Sequence, residues 1–499
     1  MIRAVAWNAG AKWATQVFTW VATFLVARLL RPYDYGLVGM AGIYLGLAAL
    51  ISQIGIADAV ITLRDLGRRQ LAELNTVALL LGIALVLVSS GLAFPIARFF
   101  AAPPLRAIII AVSTTYVING LQVIPRALLQ KELRFKLLAS IETVRALAQM
   151  FLTLLFAWLG FGYWSLVYGP ITGSVISTVL TLCWRRHGFA VPQLGQLYRE
   201  LRFSGHVSLS GIAWYIYSNA DFLVAGRMLG EAPLGNYSLA WTISSAPIEK
   251  VGNLITGVTP AFFSAVQTSH AELRRYFLRL SEAIAYLTVP ASFGIVILAD
   301  LLIPTLLGPK WSGVISPLRI LGALVAFRSL TTILPKLLIA INDAKFVMWI
   351  TVVSAVILPA AFLCGSHWGT IGIAIAWLVS YPPVTVPFYY RIFQRVEITP
   401  REYLSVIAPA LTSSAVMSLL LVLLRSLLPA YLSSLLKLIL VATCGVLFYI
   451  GALVMFYRRH LSRVSEMFRL LHKKHETPDK TTEKAVEPAP VVGATRSEV

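Results

Sequence analysis

Long apolar runs alternate with short polar segments along the whole chain of 499 residues. Many of these runs have about 20 residues, which is the length a helix needs to cross the ~30 Å hydrocarbon core of a bilayer. Because a backbone in lipid must satisfy its own hydrogen bonds, the pattern predicts an all-α polytopic membrane protein with fourteen spans. The predicted spans cover residues 5–28, 36–57, 74–97, 106–127, 137–158, 162–184, 205–228, 233–260, 277–299, 315–338, 346–364, 369–390, 403–424 and 433–457.

Short motifs recur six spans apart, which indicates an internal repeat. An even number of spans between two copies keeps both in the same membrane orientation, so we predict two six-helix bundles related by a pseudo-two-fold axis along the membrane normal. The matching pairs are Ala27–Leu30 with Gly226–Leu229, Gly36 with Gly235, and the segments 129–135 with 340–346.

The repeat and the loop composition together predict the organisation of the chain. The linker and the segment after the last span carry leucines beside arginines, a pattern typical of helices that lie at a membrane surface. The predicted units are an N-terminal six-helix bundle at 1–184, a cytoplasmic amphipathic linker at 185–204, a second six-helix bundle at 205–390, two extra transmembrane helices at 391–457, a basic amphipathic segment at 458–475 and a disordered cytoplasmic tail at 476–499.

The net charge of +20 does not point to nucleic acid, because the basic residues lie mostly in short loops between spans. Roughly three times as many lie on the side of the two termini as on the other side, which by the positive-inside rule predicts that both termini are cytoplasmic. Only 13% of the residues are charged, against about 25% in soluble domains. The three cysteines are scattered in apolar spans, so neither disulfides nor a metal site is expected.

Basic residues also occur inside the predicted spans. Lys12 shares one helical face of the first span with Asn8, Gln16 and two threonines. An ammonium at the bilayer centre costs about 2.5–3.5 kcal/mol unless it faces protein or water, so such residues normally line a functional cavity. Later spans add Arg145, Lys250 and Arg328. These four bases predict a basic central cavity and therefore an anionic cargo.

Several motifs resemble those of a known family. The stretch 27–36 is similar to the "RxLgPxxyG" start of polysaccharide flippases, and residues 221, 226–230, 234–240, 260–264 and 307–311 fit the same pattern. Over roughly residues 1–460 the chain resembles Wzx-type oligosaccharide exporters of the colanic acid and succinoglycan branch. These belong to the MOP (multidrug/oligosaccharidyl-lipid/polysaccharide) superfamily.

This resemblance implies a function and a set of partners. Such proteins flip undecaprenyl-diphosphate-linked repeat units to the periplasmic leaflet, for the synthesis of exopolysaccharide, O-antigen or capsule. The implied partners are the lipid-linked oligosaccharide, membrane lipids, and a polysaccharide polymerase with its co-polymerase. Nucleic acid is not among them, and no cofactor is implied.

We expect the cargo to be bound by basic and aromatic residues of the spans. Each has a plainer alternative: Lys12 could snorkel towards the cytoplasm, Arg145 could form a structural pair with Glu142, and the aromatic side chains could simply pack. The candidate cargo ligands are Lys12, Arg145, Lys250, Arg328, Trp214 and Tyr217.

Acidic residues inside spans are candidates for ion coupling, since an intramembrane carboxylate often carries a proton or cation. Asp221, Glu142 and Glu249 are the three candidates. Asp221 could instead pair with Arg227 near the end of its span. The alternatives for the whole protein are a cation-coupled multidrug exporter, a lipid II flippase and a membrane polysaccharide polymerase. The last is disfavoured because the sequence has no phosphate loop, no HExxH motif and no large exterior loop, so we expect a transporter and no enzyme.

Overall fold

A computed structural model describes residues 19–52, 56–62, 66–192, 214–216, 218–256, 270–429 and 431–473 of the chain. Regular structure in these residues is helical, as the apolar pattern predicts. The N-terminal half contains α1 (Thr19–Leu29), α2 (Pro32–Ser52), α3 (Ile56–Thr62), α4 (Arg68–Phe100), α5 (Leu105–Gly120), α6 (Val123–Lys131), α7 (Phe135–Trp158) and α8 (Trp164–Trp184).

The C-terminal half repeats this order of helices and adds two more. It contains α9 (Ala220–Leu229), α10 (Glu231–Thr256), α11 (His270–Leu306), a 3-10 turn (Pro309–Val314), α12 (Ile315–Thr331), α13 (Leu334–Ala340), α14 (Ala344–Ser366), α15 (Gly369–Val396), α16 (Pro400–Leu427) and α17 (Ser434–Lys473).

Ten helices in the described residues are long and apolar enough to cross a membrane, or eleven if α5 and α6, bent by 45°, form one broken span. The other three predicted spans correspond to α1, α9 and α10. The first two are short where they are described, and α10 carries Glu249 and Lys250, which lower its hydropathy. The all-α membrane fold is confirmed, while the count of fourteen and the unit boundaries stay predictions.

Helices pack closely within each half because glycine, serine and threonine lie at the contacts, as is usual in membranes. In the first half, Ser177 of α8 donates to the Gln122 side chain at 2.9 Å, in the break between α5 and α6. In the second half, Thr288 of α11 and Ser329 of α12 form a 2.7 Å hydrogen bond. These polar contacts fix the rotation of helices that would otherwise present similar apolar faces.

The last two helices attach to α11. Arg425 of α16 pairs with Asp300 of α11 at 2.8 Å and also donates to a backbone carbonyl of the same helix. The Tyr449 hydroxyl of α17 donates to the Tyr286 carbonyl of α11 at 3.0 Å. Helix α17 kinks at Tyr457, immediately before the predicted basic amphipathic segment.

Candidate functional site

A buried carboxylate and a nearby arginine lie among aromatic rings in the C-terminal half. Asp221 of α9 has no exposed surface, and its Oδ2 accepts hydrogen bonds from the Tyr237 hydroxyl (2.7 Å) and from the Trp377 indole N–H (2.9 Å). The other oxygen, Oδ1, is buried and has no hydrogen-bond partner among the described residues. Three helices, α9, α10 and α15, therefore converge on one carboxylate.

Arg328, near the end of α12, lies beside the Trp377 indole. Its guanidinium carbon is 4.1 Å from the Trp241 ring centroid and 5.5 Å from that of Trp377. The Nη1 atom is buried and forms no hydrogen bond within the part of the chain that the structure describes. A cation over an indole face away from water is stabilised by about 2 kcal/mol, so the rings hold the guanidinium without neutralising it. We call Asp221, Tyr237, Trp241, Arg328 and Trp377 the acid–arginine cluster.

Trp377 joins the two charged groups of this cluster. Its N–H edge donates to Asp221 while its ring lies against Arg328, and it also packs on Phe362 and Tyr381 with ring centroids 5.0 and 5.5 Å away. Opposite charges in one apolar pocket lower the cost of burying either one. The cluster therefore holds the Arg328 guanidinium near a carboxylate, with one of its nitrogens forming no hydrogen bond to the described residues.

A second polar group lies on α7 in the N-terminal half. Glu142 accepts hydrogen bonds from Arg145 on its own helix and from Arg126 of α6. Arg145 also donates to the Gln149 side chain at 3.1 Å. The Arg145–Glu142 pair that the sequence offered as an alternative is thus present, and it extends to Gln149 as a hydrogen-bonded chain. The side chain of Arg145 stays about one-third exposed, so a ligand can reach it.

The remaining sequence candidates fall elsewhere. Trp214 is more than half exposed, and Glu249 is also exposed. Lys12 and Tyr217 lie outside the described residues, as does the side chain of Lys250. The alternative in which Asp221 pairs with Arg227 is wrong: the Arg227 guanidinium donates to the Phe99 carbonyl at 2.6 Å.

No sequence pattern indicates that Tyr237 and Trp377 bind Asp221. Tyr237 lies 16 residues from Asp221 and Trp377 lies 156 residues away, on different helices. Trp241 of α10 lies under Arg328, which the sequence also does not indicate. The only available signal was the presence of tryptophans within spans, which packing alone also explains.

The two halves of the protein touch along α2: the Tyr215 hydroxyl of the second half donates to the Gly42 carbonyl at 3.0 Å, and the contact continues to the end of the helix at Pro32. Gly36 of α2 and Gly235 of α10, the matched glycines of the internal repeat, face each other across this contact. A Cβ atom on Gly36 would lie 1.8 Å from the Glu231 carbonyl oxygen, and one on Gly235 would lie 1.8 Å from that of Pro32. Pro32 and Glu231 are the first residues of α2 and α10, so the contact is reciprocal about the pseudo-two-fold axis.

Further hydrogen bonds close the same end. The Lys310 ammonium donates to the Arg28 carbonyl at 2.6 Å, and the Trp311 indole donates to the Ala27 carbonyl at 2.8 Å. Trp311 is fully buried, with the ring of Tyr35 5.3 Å away. These donors and acceptors belong to opposite halves. We call the contact formed by Ala27, Arg28, Pro32, Tyr35, Gly36, Glu231, Gly235, Lys310 and Trp311 the helix-end seal.

Known proteins share this architecture. The chain is 27% identical to the lipopolysaccharide biosynthesis protein WzxC of Escherichia coli (strain K12), over 76% of this chain and 80% of the relative. It is 24% identical to the succinoglycan biosynthesis transport protein ExoT of Rhizobium meliloti (strain 1021), over 80% and 81%.

Among solved structures, the fold is similar to the lipid II flippase MurJ in its inward closed conformation. The TM-score is 0.70 at 13% identity, covering 90% of this chain and 99% of the other. The family described as "Polysaccharide biosynthesis protein" matches residues 25–316. These findings confirm the resemblance to polysaccharide exporters seen in the sequence. The family match covers more than half of the 499 residues of the chain, so the chain belongs to the polysaccharide biosynthesis protein family.

Proposed function

We propose that this protein flips undecaprenyl-diphosphate-linked oligosaccharide repeat units across the inner membrane, for the synthesis of an exopolysaccharide, O-antigen or capsule. The relatives support this: one is named for lipopolysaccharide biosynthesis and another for succinoglycan transport. The observation that carries the mechanism is the helix-end seal. An alternating-access transporter closes one end of its cargo path by contact between its two halves, and the reciprocal glycine contact is such a closure.

The charge of the cargo follows from the bases in the spans. A diphosphate that crosses the bilayer needs counter-charges where water is excluded, and charge-assisted hydrogen bonds are about twice as strong as neutral ones. Arg328 has a buried nitrogen that forms no hydrogen bond with the described residues, and Arg145 is held by one carboxylate that a diphosphate can replace. Lys12 and Lys250 are proposed to complete the basic cavity, with Trp214 and Tyr217 next to the sugars.

We propose that Asp221, rather than Glu142 or Glu249, carries the coupling ion. Asp221 is fully buried, and one of its oxygens accepts no hydrogen bond from the described residues, whereas Glu142 is bound by two arginines and Glu249 is exposed. A proton or cation taken up at that Asp221 oxygen would weaken the hold of Asp221 on the Trp377 N–H. Because Trp377 lies against Arg328, this change would reach the proposed phosphate ligand directly.

The orientation is proposed from the loop charges: both termini cytoplasmic and the helix-end seal towards the periplasm. A cysteine at Ser312, an exposed residue beside the seal, should then react with a membrane-impermeant thiol reagent in intact cells. A cysteine at Ser465 should react only after the membrane is permeabilised. The opposite labelling pattern would show that the orientation and the direction of transport are the reverse of those proposed.

A polymerase and a co-polymerase are the proposed partners on the product side.

Equilibrium binding tests the chemistry of the cargo. Purified protein should bind a lipid-diphosphate oligosaccharide more tightly than the same glycan without the diphosphate. The combined substitutions Arg145→Gln and Arg328→Gln should remove most of this difference, while Arg106→Gln, at an exposed arginine near the start of α5, should leave it unchanged.

Other outcomes would decide against the proposal. Equal affinity for the uncharged glycan would contradict the anionic cargo. Tight binding of hydrophobic cations would favour a multidrug exporter. A preference for lipid II over other lipid-diphosphate oligosaccharides would favour the lipid II flippase, whose fold the chain shares.

A further inference from the structure

An open pocket lies at the corner between α6 and α7, beside the end of α8. It has a volume of about 550 Å³ and is lined by Leu133, Arg134, Phe135, Lys136, Leu137 and Trp184. Three of its apolar side chains are largely exposed: Leu133 by 71%, Phe135 by 54% and Trp184 by 61%. Apolar surface of this kind next to two basic residues suits a ligand that has both an apolar and an anionic part.

The charge of this corner is not balanced. Among the described residues, the carboxylate that pairs with its arginines is Glu132, which contacts Arg185 at 2.8 Å and Arg134 at 3.6 Å. Lys136, at the start of α7, adds a further positive charge to the pocket lining. Because two arginines share one carboxylate beside a lysine, the pocket has a surplus of positive charge and attracts an anion.

The equivalent corner of the second half, at the matched segment 340–346, has aromatic contacts that this pocket lacks. There Asp343 pairs with Arg391 at 2.7 Å, as Glu132 pairs with Arg185 in the first half. The guanidinium of Arg391 also lies 5.4 Å from the ring centroid of Phe346, the repeat partner of Phe135. Phe346 packs in addition on Phe388, with ring centroids 6.2 Å apart.

The repeat therefore occurs once with its phenylalanine covered by the protein's own side chains and once with it open. A structural ion pair is present at both corners, but in the first corner it leaves Phe135 and Trp184 open. More than half of each of these two side chains is exposed in the described residues, which leaves room for another molecule.

We infer that this corner pocket binds the headgroup of an anionic phospholipid, with Arg134 and Lys136 on the phosphate and Leu133, Phe135 and Trp184 against the glycerol and upper acyl chain. The inference rests on the proposed orientation, which places the corner at the cytoplasmic surface. Helix α7, which is long and apolar enough to cross a membrane, begins at Phe135, so the pocket lies at the level of the headgroups. Basic pockets between helix ends on that side are suited to anionic headgroups.

Lipid binding to the purified full-length protein tests the inference without any transport. Phosphatidylglycerol should bind more tightly than phosphatidylcholine, and the preference should shrink as salt rises. The double substitution Arg134→Ala with Lys136→Ala should weaken phosphatidylglycerol binding about 25-fold, since each basic residue near an anionic headgroup is worth roughly fivefold. Lys136→Glu alone should weaken it by a similar factor, which covers the case in which the double variant folds poorly.

Lys345→Ala is the matched control, because Lys345 is the repeat partner of Arg134 and lies exposed at the second corner. It should leave phosphatidylglycerol binding unchanged. Equal loss in Lys345→Ala, or no loss in either corner variant, would overturn the inference. If the corner variants lose affinity for the lipid-diphosphate oligosaccharide and keep it for phosphatidylglycerol, the pocket binds cargo and the phospholipid assignment is wrong. None of these results alters the flipping proposal, which rests on the mid-span bases and the helix-end seal.

Discussion

Adding one methyl group at Gly36 should open the helix-end seal. The new Cβ would lie 1.8 Å from the Glu231 carbonyl oxygen, and such atoms do not approach closer than about 3.0 Å. Helices α2 and α10 must therefore separate by ~1.2 Å at this point. Forced separation of a packed contact costs about 1–3 kcal/mol, which lowers the ratio of closed to open protein roughly 5- to 150-fold.

A buried reporter measures that ratio. Ala27 is fully buried in the seal, so a cysteine placed there reacts with a maleimide only when the seal opens. The three native cysteines are first replaced, and the protein is placed in nanodiscs so that both faces are accessible. We expect Gly36→Ala to accelerate labelling of Ala27→Cys by roughly 5- to 150-fold, in line with the change in the closed-to-open ratio.

The matched control is Gly42→Ala, on the same helix, because a Cβ at Gly42 would meet no atom within 4 Å. Both variants gain the same helix propensity of about 1 kcal/mol, so the comparison isolates the contact. By reciprocity, Gly235→Ala should act like Gly36→Ala, since its Cβ would meet the Pro32 carbonyl at the same 1.8 Å. Equal labelling rates in the Gly36 and Gly42 variants would refute the idea that this contact holds the end closed.

Two further substitutions test the polar groups. Trp377→Phe should lower the midpoint of thermal unfolding, because it removes a hydrogen bond to a carboxylate worth about 1.5–3 kcal/mol; Trp377→Leu should lower it further because it also removes the ring beside Arg328. Equal midpoints would contradict the double role of this indole. Glu142→Gln should raise the affinity for a lipid-diphosphate oligosaccharide several-fold, and Arg145→Gln should lower it, as measured by titration. If neither substitution changed this affinity, the Glu142–Arg145 pair would have only a structural role.

Local features of the candidate site could be predicted from the sequence. Glu142, Arg145 and Gln149 are three and four residues apart, so helix geometry alone puts them in contact. Their hydrogen bonds in the structure follow that spacing. The break before α13 was also foreseeable, because Pro335 at the start of that helix cannot continue the hydrogen bonding of α12.

Features that depend on packing between helices could not be predicted. Nothing in the sequence indicates which of several tryptophans approaches Asp221, because residues 156 positions apart meet only through the packing of α9 and α15. The repeat paired Gly36 with Gly235 in sequence, yet it did not show that the two lie face to face. That contact depends on how the two halves meet, which side-chain periodicity within one helix does not record.

Translocation in proteoliposomes tests the central claim most directly. A fluorescent lipid-diphosphate oligosaccharide is placed in one leaflet, and its arrival in the other is followed with an impermeant quencher. We expect the protein to accelerate translocation, Arg328→Gln to slow it at unchanged protein content, and the same glycan on a neutral lipid to cross little faster than in empty liposomes. Equal rates with and without the protein, or equal rates for the charged and neutral lipids, would contradict a flippase that moves an anionic lipid-linked sugar.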